Sequence, residues 1–80
     1  MLADALEHLV RGIVEHPDDV SVRDKKLRRG SILEVRVHPS DLGKVIGRRG
    51  RTATAFRTVI SALAGREEAR IDFVDVDRSR

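Results

Sequence analysis

The chain has 80 residues, which is enough for one small domain and leaves no room for a second. Its 16 basic and 13 acidic residues give a net charge of +3, and the lack of cysteine excludes disulfides and cysteine-based zinc sites. Two phenylalanines with no tyrosine or tryptophan argue against a nucleic-acid module that stacks bases on aromatic rings. No apolar stretch is long enough to cross a membrane, and the acidic start is unlike a signal peptide. These features predict a soluble, cytoplasmic protein.

The first predicted element is an amphipathic helix over residues 2–15, whose apolar residues recur at three- and four-residue steps. Pro17 is expected to stop this helix, because proline disfavours helical geometry at the residue before it. Val20 and Val22 then alternate with polar residues, which predicts a short strand. The segment from Lys25 to Gly30 contains four basic residues and is predicted to be a loop.

A second strand is predicted from Leu33 to Val37, where apolar and polar residues alternate most clearly. A short loop between two strands favours an antiparallel pair. Pro39 ends the strand, and Ser40 or Asp41 can cap the helix that follows. This helix is predicted to be short, from Asp41 to about Ile46.

A longer helix is predicted from about Arg51 to Ala64. Four apolar residues at i, i+3, i+4 and i+7 form its core face, namely Phe56, Val59, Ile60 and Leu63. Gly65 is well placed to end the helix in a left-handed conformation.

The last predicted strand covers residues 70–77, and the sequence leaves its register open. Two pairs of apolar residues compete for the core: Ile71 with Phe73, and Val74 with Val76. The tail over residues 78–80 is predicted to be frayed.

The predicted order is helix, strand, strand, helix, helix, strand. The two helices between the second and third strands allow a right-handed crossover, so these strands can pair in parallel. The sequence therefore predicts a single α+β domain over residues 1–80, with a three-stranded mixed sheet and helices packed on one face.

Basic residues are concentrated in the middle of the chain: residues 42–66 hold six of them and no acidic residue. Gly47 and Gly50 lie inside this block, where they permit a tight turn and leave the backbone bare. The helix that follows offers unpaired N–H groups and the positive end of its dipole. The charged residues around this turn are Lys44, Arg48, Arg49 and Arg51. The pattern predicts an anion site suited to a sugar-phosphate backbone.

The run Val45-Ile46-Gly47-Arg48-Arg49-Gly50, followed by a helix, resembles the I-G-x-x-G core of KH domains. The predicted order of elements is similar to the type II KH fold. Beyond this core, residues 16–20, 35–47 and 57–59 resemble the small bacterial single-KH proteins of the KhpA type. The resemblance spans essentially all 80 residues, and the segment from Lys25 to Gly30 is its least typical part.

The resemblance implies binding of single-stranded RNA through the GxxG loop, over about four nucleotides. Val45 and Ile46 would floor an aliphatic groove for bases, flanked by the edge of the strand Leu33–Val37. The implied contact residues are Lys44, Val45, Ile46, Gly47, Arg48, Arg49, Gly50 and Arg51. The resemblance also implies a post-transcriptional regulator or RNA chaperone that acts as a dimer. The family pairs with itself or with a larger KhpB (Jag)-type KH protein.

Two other functions stay open. The chain could be a protein–protein interaction module with little intrinsic RNA affinity. A helix-turn-helix that reads duplex DNA is less favoured, because Arg57 is the only long polar side chain from Thr52 to Ala64 of the second helix and the basic residues cluster at the turn.

Features of an enzyme are not found. The chain lacks the spacings of a P-loop and of a dinucleotide-binding fingerprint. His8, His16 and His38 are scattered and show no metal-ligand spacing. Ser40, Asp41 and His38 form an expected capping cluster and not a catalytic triad. We therefore expect no enzymatic activity, cofactor, metal or small-molecule substrate.

Overall fold

The computed structural model describes residues 2–74. Its helices and strands, in chain order, are α1 (Leu2–Arg11), β1 (Ser21–Leu27), β2 (Gly30–Arg36), α2 (Leu42–Ile46), α3 (Arg51–Ala64) and β3 (Ala69–Phe73). Single turns of 3-10 helix precede β1, α2 and α3, at Pro17–Asp19, Pro39–Asp41 and Arg48–Gly50. The order of elements is the predicted one.

The three strands form one sheet with β2 in the middle. Strand β1 pairs with β2 in antiparallel fashion, and β3 pairs with β2 in parallel on the other side. The predicted α+β fold with a mixed sheet is therefore confirmed, and it is consistent with a KH fold. The central place of β2 makes one prediction wrong. The strand predicted over Leu33–Val37 has no open edge to flank a groove, because its hydrogen bonds run to neighbours on both sides.

The core lies between the helices and one face of the sheet. Leu33 and Val35 of β2 stand beside Ile71 and Phe73 of β3 on this face. The cluster of buried apolar side chains comprises Leu6, Val10, Val20, Leu33, Val35, Val37, Val45, Phe56, Ile60 and Ile71. Ile71 and Phe73 are thus the pair that faces the helices, which settles the register of the last strand. Residues 75–77 of that predicted strand and the tail over residues 78–80 lie outside the described residues.

Helix α1 ends at Arg11, four residues before the predicted end. Gly12, which is a poor helix former, follows directly and donates its N–H to the carbonyl of His8 at 3.2 Å. The N–H groups of Glu15 and His16 donate instead to the carboxylate of Asp41, which lies 26 and 25 residues further along the chain. In a continued helix these N–H groups would bond to the preceding turn, so the tertiary contact competes with helix.

The β1–β2 connection is shorter than predicted. The segment Lys25–Gly30, predicted to be a loop, enters β1 at its start and β2 at its end, and only Arg28 and Arg29 lie between the strands. The ammonium of Lys25 lies 3.0 Å from a carboxylate oxygen of Glu34 on β2. Cross-strand pairing of this kind lets basic residues stay in a strand.

Helix α3 has the predicted bounds, but its buried face is narrower than predicted. Phe56 and Ile60 are buried, whereas Val59 and Leu63 are 42% and 58% exposed. Val59 precedes Ile60 by one residue and therefore lies about 100° away around the helix. Gly65 ends α3 with a φ of 66°, as a glycine can, but its ψ of −118° lies outside the predicted left-handed helical region.

Candidate functional site

The turn between α2 and α3, Gly47–Gly50, is here called the GxxG turn. Gly47 has φ 78° and ψ 169°, Arg49 has φ 57° and ψ 26°, and Gly50 has φ 72° and ψ 17°. Three of these four residues therefore have positive φ, which L side chains rarely adopt. Among the described residues that are not glycine, Arg49 alone has a positive φ. Glycine suits this conformation at Gly47 and Gly50, whereas Arg49 adopts it at a cost in free energy.

The two glycines of the turn are needed for different reasons. A Cβ built on Gly47 would lie 2.8 Å from the backbone nitrogen of Thr52, and closer still to its hydroxyl oxygen. A Cβ on Gly50 would meet no atom within 4 Å, so only its φ favours glycine there. The first turn of α3 therefore packs directly on Gly47, and one side of the turn is left as bare backbone.

Positive charge at the turn has no partner within the described chain. Arg48, Arg49 and Arg51 are exposed, and none of them takes part in an ion pair between described residues. Helix α3 begins without a side-chain cap and without an acidic residue in its first turn. The partial positive charge of the helix start adds to the three guanidiniums, so the arrangement can hold an anion.

Lys44, the fourth predicted basic contact, is engaged elsewhere. Its ammonium lies 2.7 Å from a carboxylate oxygen of Glu15. The hydrogen bond from Lys44, followed by its charge, holds the pKa of Glu15 below the usual value. Both side chains are exposed, so the pair adds little stability and Lys44 can exchange this carboxylate for another anion.

The two predicted apolar contacts behave differently. Val45 is 0% exposed and belongs to the core, so the floor of the predicted groove is buried at this residue. Ile46 is 37% exposed and directly precedes Gly47. Successive residues of a helix point about 100° apart, which is why one of these neighbours faces the sheet and the other the solvent. Ile46 is the aliphatic surface that this pair offers beside the turn.

A second cluster joins His38 and Asp41, which were expected to form a capping cluster, to Glu15 and His16, which were not expected there. The rings of His16 and His38 stack with centroids 4.0 Å apart and an interplanar angle of 18°. Asp41 accepts hydrogen bonds from the backbone N–H of Glu15 at 3.2 Å and of His16 at 3.0 Å. The Nδ1 atom of His16 lies 3.1 Å from the same carboxylate. We call this cluster of Glu15, His16, His38 and Asp41 the Asp41 junction.

The carboxylate of Asp41 does not cap α2, contrary to prediction, because its oxygens bond to the Glu15–His16 segment. Burial by itself raises the pKa of Asp41, but the hydrogen bonds from Glu15 and His16 outweigh it and lower the pKa below the usual value. His38 instead caps the preceding 3-10 turn, Pro39–Asp41, since its Nδ1 accepts the N–H of Ser40 at 3.1 Å. The junction thereby ties the segment before β1 to the start of α2.

One signal in the sequence could have revealed this junction. The pattern His-Pro-x-Asp occurs twice, at residues 16–19 and 38–41. In both copies the histidine precedes a 3-10 turn that begins with the proline. Within residues 2–74 there is no group of three or more histidine, cysteine or acidic residues that could hold a metal ion.

Comparisons with known proteins were made with the whole sequence. The family model described as "KhpA/KhpB, KH domain" matches residues 3–76. The RNA-binding protein KhpA of Streptomyces coelicolor is 66% identical over 80 residues, which is all of both chains. KhpA of Leifsonia xyli is 61% identical over 75 residues, or 94% of this chain and 99% of the relative. KhpA of Mycobacterium tuberculosis is 59% identical over 78 residues, or 98% and 96%. No solved structure matches this chain.

These relatives are named as RNA-binding proteins and not as enzymes, in agreement with the expectation of no enzymatic activity. Within residues 2–74, no helix combines the length and apolar character that crossing a membrane requires. The matched region runs from α1 through β3 and includes the GxxG turn. The chain belongs to the KhpA/KhpB family of KH domains.

Proposed function

We propose that this chain binds single-stranded RNA and holds the phosphate backbone at the GxxG turn. The observation that carries the proposal is the convergence of Arg48, Arg49 and Arg51, without carboxylate partners in the described chain, on a glycine-bounded turn. The names of the relatives favour RNA over other polyanions. GXXG loops of KH domains clamp about four nucleotides of a single strand.

In this mechanism each part of the turn has a separate task. Gly50 has open space where a Cβ would stand, so the sugar-phosphate backbone can approach the main chain there, whereas Gly47 makes room for the first turn of α3. Arg48 and Arg49 donate charge-assisted hydrogen bonds to phosphate oxygens, which a planar guanidinium can do in pairs. Ile46 offers an aliphatic surface to a base, so aromatic stacking is not required.

We further propose that the chain acts as a post-transcriptional regulator or RNA chaperone, either as a homodimer or together with a larger KhpB (Jag)-type protein. The family model that matches covers KhpA and KhpB proteins alike. Val59 and Leu63 on α3 expose apolar surface of the kind that protein partners cover. The same surface supports the alternative that the chain is mainly a protein–protein interaction module.

The test compares Arg48→Gln/Arg49→Gln with a matched control, Arg23→Gln/Arg36→Gln, which removes two exposed arginines from the sheet face opposite the helices. Fluorescence anisotropy with a labelled single-stranded RNA should show a loss of about 100-fold for the turn variant, since each charged hydrogen bond contributes about 1.5 kcal/mol. The control should bind like the parent. Equal binding by parent and turn variant would place the site elsewhere.

A second arm separates the functional classes. Single-stranded RNA and duplex DNA of equal length are titrated under the same salt conditions. Tighter binding to the duplex would favour the helix-turn-helix alternative. If neither nucleic acid binds, the interaction module becomes the better description, and sedimentation of the chain alone and with a KhpB-type protein follows.

A further inference from the structure

A second group of arginines lies near the end of α3, whereas the GxxG turn lies at its start. There a cleft of about 540 Å³ opens between the β1–β2 hairpin and the loop that joins α3 to β3. Its walls are the segments Lys26–Ser31 and Arg66–Glu68. We call it the hairpin cleft. The basic segment Lys25–Gly30, which is not part of the GxxG turn, supplies most of one wall of the cleft.

The two walls of the hairpin cleft are fixed against each other. The N–H of Ser31 donates to the carbonyl of Glu68 at 2.8 Å. Gly30 has a φ of 132°, and a Cβ there would lie 2.9 Å from the carbonyl carbon of Glu68. Glycine is therefore needed for the close approach of the two walls. A ligand would find the cleft already formed, which lowers the entropy cost of binding.

Basic side chains outnumber acidic ones in the hairpin cleft, and most of the basic ones form no ion pair with a described residue. Arg28, Arg29 and Arg66 are exposed, and no ion pair between described residues includes any of them. Two acidic side chains, Glu67 and Glu68, line the same cleft, so three guanidiniums outnumber two carboxylates. The ammonium of Lys26 also lines it but lies 3.3 Å from a carboxylate oxygen of Asp24.

A polar surface connects the cleft with the GxxG turn. Helix α3 has 14 residues and therefore spans about 21 Å between the two ends. Exposed residues recur at three- and four-residue spacing along one side of it, namely Arg51, Thr54, Thr58 and Ser61. Ser61 also borders a shallow depression formed with Gly65–Arg70. This depression shares Arg66–Glu68 with the hairpin cleft, so the surface is continuous.

We propose that the hairpin cleft is a second phosphate site for the RNA strand that is held at the GxxG turn, and that this strand runs along the polar side of α3. The proposal rests on the proposed function. At the spacing of stacked nucleotides, about 3.4 Å, the 21 Å length of α3 corresponds to about six nucleotides. A 4-nucleotide RNA therefore fills the turn only, whereas a 12-nucleotide RNA reaches both sites.

The test measures binding of 4- and 12-nucleotide single-stranded RNAs of one composition, between 50 and 200 mM salt. Three variants are compared: Arg28→Gln/Arg29→Gln, Arg48→Gln/Arg49→Gln, and the control Arg23→Gln/Arg36→Gln. Each phosphate contact to a single strand contributes about −0.7 to the slope of log K against log salt. We expect the hairpin variant to lose about 1.4 of this slope with the 12-nucleotide RNA, and to bind the 4-nucleotide RNA like the parent.

The control carries the same change of net charge as the hairpin variant and should follow the parent with both RNAs. Equal slopes and affinities of the hairpin variant and the control would overturn the second site. Failure of the proposed function gives a different result: the turn variant would then bind both RNAs as well as the parent does. Circular dichroism checks that all variants are folded, and Arg66→Gln provides a second variant outside the hairpin.

Discussion

The GxxG turn follows Asp41 closely in the chain, but the charged groups at the turn and at the Asp41 junction differ in whether they have partners. At the junction a carboxylate that is 1% exposed receives hydrogen bonds from Glu15 and His16. At the turn, Arg48 and Arg49 are exposed and form no ion pair with a described residue. A buried charge without partners would destabilise the fold, whereas an exposed charge without partners costs little and remains available to a ligand.

The largest expected effect comes from removing the carboxylate of the junction. Asp41→Ala leaves the N–H groups of Glu15 and His16 without their acceptor, and it opens space in a packed region. We expect a melting temperature at least about 15 °C below that of the parent, because the lost acceptor serves two N–H groups and its side chain is buried, and we expect RNA binding to be lost in proportion to the unfolded fraction. The Arg48→Gln/Arg49→Gln variant should show the reverse pattern, with stability within about 0.5 kcal/mol of the parent. Thermal unfolding and RNA titration of both proteins check this contrast.

The two glycines of the turn offer a smaller and more local test. Gly47→Ala meets both an unfavourable φ and the first turn of α3, so we expect a loss of roughly 3 kcal/mol. Gly50→Ala meets only the unfavourable φ, and a loss of about 1 kcal/mol is expected. Urea unfolding measures both values. Equal losses would mean that the contact between Gly47 and Thr52 has no energetic weight.

Arg49 carries the cost of a left-handed conformation, and Arg48 does not. Arg49→Gly should therefore raise the free energy of unfolding by about 0.5–1 kcal/mol, whereas Arg48→Gly should lower it by a similar amount. Each variant removes one guanidinium, and we expect about tenfold weaker RNA binding in both. If Arg49→Gly is more stable than the parent and binds RNA more weakly, then Arg49 lowers the stability of the fold while its charge contributes to binding. Lower stability of Arg49→Gly would contradict that view.

The smallest expected effect is a decrease of the free energy of unfolding at acidic pH. The hydrogen bonds from Glu15 and His16 keep the pKa of Asp41 below its ordinary value of 3.8. The folded state therefore holds this carboxyl ionised at a pH where the unfolded chain already takes up a proton. Its contribution is fully present above about pH 4 and is lost as the pH falls through the folded pKa. Asp41→Asn should flatten the fall in stability between pH 5 and pH 3, relative to the parent, in urea unfolding at fixed salt. Parallel curves would remove Asp41 from the acid response.

The sequence predicted the elements whose signals are local. The bounds of α3 and the alternation of β2 follow from periodicity, and the two glycines revealed the GxxG turn, because their conformational requirement lies within four residues. The contact between His16 and Asp41 joins positions 25 residues apart, so no periodicity could predict it. The burial of Val45 could not be predicted for a related reason. A helix of five residues is too short to show which side faces the core.

The shortness of α2 has a consequence for the motion of the GxxG turn. An isolated helix of five residues does not persist in water, so α2 exists only while its surroundings hold it. The Asp41 junction at its start is one such support, and the burial of Val45 is another. Transient opening of the junction would release α2 and with it the geometry of the GxxG turn. The amide hydrogens of Glu15 and His16, although they lie outside helices and strands, should then exchange with deuterium as slowly as the amides of α2. The rate at which the GxxG turn loses its geometry would thus be readable at two residues that lie outside the turn.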